Sequence, residues 1–149
     1  MFSSDLVKKF NNLPTPFYYY DLDILKNNLK SLSNSLRSNN KVHFSVKSNT
    51  NKRILKIVKS FNLGIDAVSY NEIKHCLDQG FDSKDIVFAG VGKTDEEIKK
   101  AIENDIAYFN VESFQELDVI NQLSKKESKQ TEVSIRINPN IFSETNKKI

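Results

Sequence analysis

The chain has 149 residues, 38% of them hydrophobic and 28% charged, which is enough for one ordinary domain with its own core. Its 22 basic and 19 acidic residues are scattered and give a net charge of +3, so no basic block indicates a nucleic-acid partner. No apolar run approaches the roughly 20 residues that span a bilayer. The first residues also lack a basic segment followed by an apolar one, so we expect a cytoplasmic protein without a membrane partner.

Residues that commonly ligate metals are sparse. Cys76 is the one cysteine, which excludes an intramolecular disulfide and a multi-cysteine zinc site. Its neighbours Ile73 and Leu77 place it on the apolar face of a predicted helix, so we expect an inert core thiol. His43 and His75 are too few and too far apart for a metal centre, and no metal is predicted.

The first quarter of the chain predicts an amphipathic lead-in over residues 1–13 and then an extended segment at 13–16. The prolines of that segment restrict their own φ and disfavour helix at the preceding residue. An aromatic, β-prone run follows at 17–20. Asp21 can cap a helix in which leucines recur at helical spacing up to Leu36.

From residue 41 onward, predicted strands and helices alternate, and the strands recur at a nearly regular spacing. The predicted strands are 41–47, 64–69, 85–90, 107–112 and 132–138, and the helices between them are 51–59, 71–79, 95–104 and 114–126. Three of these helices start with a capping box, in which a hydroxyl and a glutamate three residues later satisfy free N–H groups. The boxes are Ser69-x-x-Glu72, Thr94-x-x-Glu97 and Ser113-x-x-Glu116.

This alternation predicts a parallel sheet with right-handed crossovers, either a βα barrel or an open doubly wound sheet. An open sheet covered on both faces has nearly continuous apolar strands, whereas a barrel can hold polar groups at its mouth. Polar residues do recur on one face of the predicted strands, namely Ser45, Lys47, Asp66, Asn110, Glu112, Arg136 and Asn138. We therefore predict an α/β fold, a partial (βα)8 TIM-type barrel with about five of its eight βα units.

Lys47 stands at the end of the inward-facing side of the first barrel strand. An amine in that position can form a Schiff base with an aldehyde cofactor, although a solvated surface lysine is the commoner state. Asp66 and Arg136 are also candidate site residues, because charges on interior strand faces need partners. Glu72 is already accounted for by its capping box.

The Gly90-Val91-Gly92-Lys93-Thr94 segment invites a comparison with phosphate-binding loops. That pattern requires a glycine six positions before the lysine, where this chain has Val87. We therefore interpret the segment as the turn before a capped helix, with its Gly-x-Gly turn near the barrel mouth.

Six segments together have the residues, the order and the spacing that are typical of one enzyme family. They are residues 15–21, 44–49, 64–72, 86–94, 109–113 and 136–139. They resemble the diaminopimelate decarboxylase family of fold type III, alanine-racemase-like, pyridoxal-phosphate enzymes. The resemblance implies that Lys47 is the Schiff-base lysine, that Asp66 and Arg136 lie near the pyridoxal 5'-phosphate cofactor, and that Glu72 lies near the same site.

The resemblance also implies an N-terminal βα barrel, a C-terminal β domain and a homodimer. Residues 1–20 would be a lead-in and a strand that joins the β domain, which is absent from this chain, and residues 21–149 would be the N-terminal part of the barrel. The implied reaction converts meso-diaminopimelate, a small amino-acid substrate, to L-lysine and CO2. The alternatives are another basic amino-acid or polyamine decarboxylase of the same fold, or a truncated non-catalytic remnant, and we expect the 149-residue chain alone to be inactive.

Overall fold

The computed structural model describes residues 2–37 and 39–139. Among them are five strands and six α-helices, which alternate from residue 43 onward as the sequence predicts. The strands are β1 (His43–Ser45), β2 (Gly64–Ala67), β3 (Ile86–Phe88), β4 (Tyr108–Val111) and β5 (Val133–Ile135). The helices are α1 (Ser4–Asn11), α2 (Leu22–Ser35), α3 (Lys52–Ser60), α4 (Tyr70–Asp78), α5 (Asp95–Glu103) and α6 (Phe114–Lys126).

The five strands form one parallel sheet in the order of the chain, β1-β2-β3-β4-β5. Each strand pairs with the next in sequence, so that His43 lies opposite Gly64 and Val87 lies opposite Tyr108. A sheet in which the strand order never reverses is the arrangement of a βα barrel, whereas doubly wound sheets reverse at a switch point. The structure therefore favours the barrel, as predicted.

The core lies between one face of this sheet and helices α3 to α6. Its largest buried side chains come from strands and helices alike: Leu55, Ile65, Ile73, Phe88, Ile98, Phe109 and Ile120. Within single elements, buried residues recur at alternate strand positions, as Ile86 and Phe88 do, and at helical spacings of three and four, as Ile98, Ala101 and Ile102 do. This is why sequence periodicity located the elements. The other face of the sheet carries mostly polar residues, together with Val87 and Ala89.

The N-terminal segment packs through aromatic rings. Phe10 of α1 contacts Phe2, Phe17 and Tyr19, with ring centroids 5.1–5.5 Å apart. Residues 17–20 are neither helical nor in a strand. Their assignment to a second domain stays a prediction. Asp21 caps α2 as expected, since its Oδ1 accepts hydrogen bonds from the backbone N–H groups of Asp23 and Ile24.

Only one of the three predicted capping boxes is complete. The N–H of Thr94 donates to Glu97 Oε2 at 3.1 Å, and the N–H of Glu97 donates to Thr94 Oγ1 at 3.3 Å. At the starts of α4 and α6 the serine half of the box is present. The carboxylate, however, accepts from the residue before the cap: the N–H of Val68 donates to Glu72 Oε2 at 2.8 Å, and that of Glu112 donates to Glu116 Oε2 at 3.1 Å.

The prediction of three complete boxes was therefore wrong, and the backbone gives the reason. Ser69 and Ser113 have φ of −152° and −153°, whereas Thr94 has φ of −83°. Both serines thus continue the extended strand up to the helix. Because successive N–H groups alternate in direction along an extended chain, the N–H that meets the glutamate belongs to the preceding residue. Two helix starts are in this way bonded directly to strand ends.

Gly64 begins β2 where the His43 ring packs over the neighbouring strand. A Cβ atom at Gly64 would lie 2.4 Å from His43 Cδ2 and 2.8 Å from the Asp85 carbonyl oxygen. The backbone oxygen cannot move as a side chain can, so only glycine fits at this position.

We expect Gly64→Ala to lower the free energy of unfolding by about 1–3 kcal/mol, because the added methyl group overpacks this contact. Gly92→Ala is the matched control. A Cβ atom at Gly92 would have none of the described residues within 4 Å, so the change should stay within about 0.5 kcal/mol. Urea unfolding of both variants measures the difference, and equal stabilities would contradict the steric account.

Candidate functional site

The polar face of the sheet forms an open cavity of about 540 Å³. Its lining comes from all five strands or the residues that directly follow them: His43, Asp66, Val87, Ala89, Tyr108, Asn110, Glu112, Ser134 and Arg136. The sequence predicted that Asp66 and Arg136 face the same side, and the structure brings them to one cavity. In βα barrels the carboxyl ends of the strands surround the active site, so this is the candidate functional site.

Arg136 lies directly after β5 and is bonded on two levels. Its backbone N–H donates to the Val111 carbonyl oxygen at 3.0 Å, which extends the ladder between β4 and β5. Its Nη1 donates to Glu112 Oε2 at 3.0 Å. The Glu112 side chain is 14% exposed and that of Arg136 is 67% exposed, so the carboxylate is fixed while most of the guanidinium remains accessible to an anion.

Asp66 lies in β2 beside Ser45 of β1, since the two residues are opposite each other in the parallel register. Ser45 Oγ is buried and has no hydrogen-bond partner within the described part of the chain. Buried hydroxyl groups are nearly always hydrogen-bonded. Ser45 lies beside the cavity-lining Asp66 but is not itself among the lining residues, so its unpaired hydroxyl is a candidate partner for a ligand bound next to Asp66.

Lys47 does not lie in a strand. β1 ends at Ser45, and residues 46–48 form a single turn of 3-10 helix. The turn is closed by two hydrogen bonds, from Ser48 Oγ to the Ser45 carbonyl oxygen at 2.7 Å and from the Asn49 N–H to the Val46 carbonyl oxygen at 2.9 Å. Lys47 is exposed in this turn, at the carboxyl end of β1 but outside the residues that line the cavity.

The prediction that β1 runs on to Lys47 was therefore wrong. A turn that is bonded back onto the strand end interrupts the two-residue alternation, so the pleat no longer sets the direction of the lysine side chain. Val46, in contrast, is fully buried, as its predicted helix-facing position requires.

His43 lines the cavity with its imidazole ring. Its ring contacts Tyr108 edge to face, with centroids 6.3 Å apart. Burial, reinforced by the nearby Lys41 ammonium, lowers the pKa of His43 below its ordinary value of 6.5, against the opposing influence of Asp66 and Asp85. Lys41 itself is paired with Asp85.

Lys93 is a buried cation, which the sequence did not predict. Its side chain is 0% exposed, and its Nζ donates to the carbonyl oxygens of Gly90 and Asn110, both at 2.8 Å, and to Glu116 Oε1 at 2.5 Å. The ammonium also lies 5.5 Å from the centroid of the Phe88 ring. Since an ammonium has three N–H donors and all are engaged, Lys93 cannot serve a phosphate in the manner of a phosphate-binding loop. These contacts agree with the interpretation of the segment as the turn before a capped helix.

Glu72 and Cys76 lie on α4, behind the sheet. Glu72 accepts the Val68 N–H, so its carboxylate is engaged at the strand end. Cys76 is fully buried as predicted, and burial, followed by the neighbouring Glu72, raises the pKa of its thiol to about 12. A thiol with that pKa is protonated and unreactive at neutral pH.

Besides the apolar Val87 and Ala89, the lining residues Tyr108 and Ser134 were missed as candidates. Tyr108 stands two positions before Asn110 of the same strand, and Ser134 stands two positions before Arg136, which directly follows β5. The two-residue period of a strand could have identified them.

Among the described residues, no group of three or more histidine, cysteine or acidic side chains could hold a metal ion. No helix in residues 2–37 or 39–139 is long and apolar enough to cross a bilayer.

These features define the class of the protein. A parallel sheet in sequential order, helices on one face and ionisable residues on the other form part of a βα barrel whose carboxyl edge is suited to a ligand. The sequence profile described as "Pyridoxal-dependent decarboxylase, pyridoxal binding domain" matches residues 22–149. The chain belongs to this family.

Individual relatives agree with the family. The chain is 41% identical over 145 residues to the diaminopimelate decarboxylase of Bacteroides thetaiotaomicron, covering 96% of this chain and 38% of the relative. It is 36% identical over 141 residues to that of Campylobacter jejuni, covering 94% and 34%. The crystal structure of the Helicobacter pylori diaminopimelate decarboxylase complexed with L-lysine matches with a TM-score of 0.83 at 35% identity, covering 94% of this chain and 36% of that chain.

These matches confirm the predicted family resemblance and the barrel-type fold, and the family description confirms the expected pyridoxal cofactor. The chain spans little more than a third of the length of the relatives it matches.

The residues at the carboxyl edge fit pyridoxal phosphate, which is an aldehyde that carries a phosphate group. Lys47 offers an exposed primary amine in the turn after β1. Arg136 offers an accessible guanidinium to an anionic group, and Ser45 offers a buried hydroxyl that has no partner among residues 2–37 and 39–139.

We predict that His43 makes the chain less stable as the pH falls. The pKa of His43 is lower in the folded chain than in the unfolded chain, so between the two values the unfolded chain binds a proton that the folded chain does not. The free energy of unfolding should therefore decrease as the pH falls through about 6.5, and the loss should level off below the folded pKa.

Urea unfolding at pH values from 8 to 5, in steps of about half a pH unit, tests this dependence. His43→Gln should show a shallower dependence, whereas His75→Gln keeps His43 and should retain that of the unmodified chain. An unchanged pH dependence in His43→Gln would contradict the assignment.

Proposed function

We propose that this chain is the N-terminal, cofactor-binding part of a pyridoxal-phosphate decarboxylase that converts meso-diaminopimelate to L-lysine and CO2. The observation that carries the proposal is geometric. Asp66 in β2 and Arg136 directly after β5 line one cavity on the polar face of the sheet, and the Lys47 turn follows the carboxyl end of β1 in the same sheet. Identities of 36–41% to diaminopimelate decarboxylases support this substrate over other basic amino acids. We expect a cytoplasmic homodimer.

Each residue has a distinct part in the proposed site. Lys47 would hold the cofactor covalently through its Nζ, and the two hydrogen bonds that close its turn limit where that amine can reach. Arg136 binds an anionic group of cofactor or substrate while Glu112 holds its Nη1. Asp66 and the Ser45 hydroxyl face the ligand from adjacent strands.

When bound, the cofactor ring supplies an electron sink for the electron pair that remains after the substrate carboxylate leaves as CO2. The Lys47 amine would form the bond to the cofactor aldehyde and, when free, could carry a proton at Nζ. Holding such a group in place is a large part of its effect on rate.

The first test is covalent labelling. We expect borohydride to fix pyridoxal phosphate onto Lys47, and the label to be lost in Lys47→Ala, because only that amine lies at the carboxyl end of β1. Mass-spectrometric peptide mapping identifies the labelled residue.

Lys52→Ala is the matched control, since Lys52 is exposed and five residues further along the chain. It should leave the label on Lys47 unchanged. Labelling that spreads equally over the surface lysines would contradict the proposal.

The second test concerns activity. We expect the 149-residue chain to form no lysine, because it spans only 38% of the Bacteroides relative. A chimera in which this chain replaces the matching third of that relative should release CO2 from meso-diaminopimelate, and Lys47→Ala in the chimera should lower the rate by at least about 10²-fold.

Arginine and ornithine serve as competing substrates for the same chimera. Preference for either over diaminopimelate would assign the chain to another decarboxylase of the same fold. A folded chimera that binds the cofactor but decarboxylates none of the three would contradict the proposed function.

A further inference from the structure

The buried Lys93 ammonium connects three elements at the carboxyl edge of the sheet. Its acceptors are the Gly90 carbonyl oxygen in the loop after β3, the Asn110 carbonyl oxygen in β4 and the Glu116 carboxylate in the first turn of α6. A fully buried charge is tolerated when all its donors are satisfied, and here they are. The acceptor geometry therefore fixes these elements relative to one another.

Glu116 connects the Lys93 ammonium to the backbone of Glu112, which lines the cavity. Its two carboxylate oxygens are divided between two donors: Oε1 accepts from Lys93 Nζ, and Oε2 accepts from the Glu112 N–H at 3.1 Å. The carboxylate thus lies between the buried ammonium and the first residue beyond β4. Movement of the carboxylate in either direction breaks one of these bonds.

Glu112 in turn holds Arg136. Its Oε2 accepts from Arg136 Nη1 at 3.0 Å, and both residues line the cavity. An ion pair with one partner mostly exposed contributes little stability by itself. Its value here is geometric, because the carboxylate end of the pair is anchored to the backbone network and the guanidinium end faces the cavity.

We propose that Lys93 is a positioning residue for Arg136, acting through Glu116 and Glu112. This inference rests on the proposed function for the importance of Arg136, but the chain of contacts is independent of it. Lys93 never reaches the cavity. It sets the place at which the Arg136 guanidinium meets an anionic ligand.

The junction between β2 and α4 shows that a glutamate can bond a helix start to a strand end without a cation. Glu72 accepts from the Val68 N–H as Glu116 accepts from the Glu112 N–H. Within the described residues, no ion pair involves Glu72. Lys93 is thus an additional group at the β4–α6 junction, where the strand-end residue Glu112 binds Arg136.

Lys129 provides a matched control for the loss of a lysine with similar contacts. Its Nζ donates to the carbonyl oxygens of Ile102 and Glu103, at 3.1 and 2.7 Å, and pairs with Asp105 at 3.0 Å. Lys129 lies in the connection before β5, at the opposite edge of the sheet from the carboxyl ends. Loss of the Lys129 ammonium should lower the free energy of unfolding but leave the position of the Arg136 guanidinium unchanged.

The experiment compares Lys93→Met with Lys129→Met by NMR on the 149-residue chain. In Lys93→Met we expect the Glu112 amide to exchange with solvent at least about ten times faster. We also expect the Arg136 Nε–Hε resonance to shift toward its position in Glu112→Gln, in which the carboxylate charge is removed. In Lys129→Met both signals should stay at their positions in the unmodified chain.

A merely structural role would lower the stability of both lysine variants and leave the Arg136 resonance and the relative Glu112 exchange rate unchanged in Lys93→Met. That result would overturn the proposal. Neither signal needs a cofactor, so failure of pyridoxal phosphate to bind would count against the proposed function and not against this inference.

Glu116→Gln decides the question if Lys93→Met does not fold. The two donors approach different oxygens of Glu116, and glutamine has only one carbonyl oxygen, so its NH2 group must face a donor. We expect faster exchange of the Glu112 amide and the same direction of shift at Arg136. Unchanged signals in a folded Glu116→Gln chain would overturn the proposal.

Discussion

The buried ammonium of Lys93 is the constraint on which the carboxyl edge of this sheet depends. Removing one partner of a buried ion pair costs about 3–5 kcal/mol, because an uncompensated charge remains. The loop after β3, the end of β4 and the start of α6 must therefore keep the positions that bring their acceptors to within 2.8 Å of Nζ. A flexible surface lysine would impose no such condition.

The helix starts extend this constraint along the same edge. Glu97 completes the capping box of α5 and also accepts the Tyr70 N–H at 3.0 Å, which joins α5 to the start of α4. Glu72 then joins α4 to the residue after β2. Backbone and carboxylate groups thus link neighbouring βα junctions, and the cavity that they surround is lined by side chains that remain available to a ligand. Rigid support behind accessible groups is what a binding site requires.

Sequence patterns located most of the fold. Periodic apolar residues placed the helices and strands, Asp21 marked the start of α2, and strand alternation put Asp66 and Arg136 on one face. Local patterns could not place Lys93, since a lysine after Gly-x-Gly is ordinarily solvated and its burial depends on acceptors from β4 and α6. The 3-10 turn at Lys47 could not be predicted either. The alternation of apolar and polar residues continues through Lys47 and favours a strand, and only the hydrogen bonds that close the turn end it.

The most direct test of this account is a crystal structure of the chain after pyridoxal phosphate has been fixed with borohydride. We predict continuous electron density from Lys47 Nζ to the cofactor, with Arg136 still bonded to Glu112 and Ser45 Oγ in hydrogen-bond contact with the ligand. Density attached to other lysines, or a cofactor bound away from the cavity that Asp66 and Arg136 line, would contradict it.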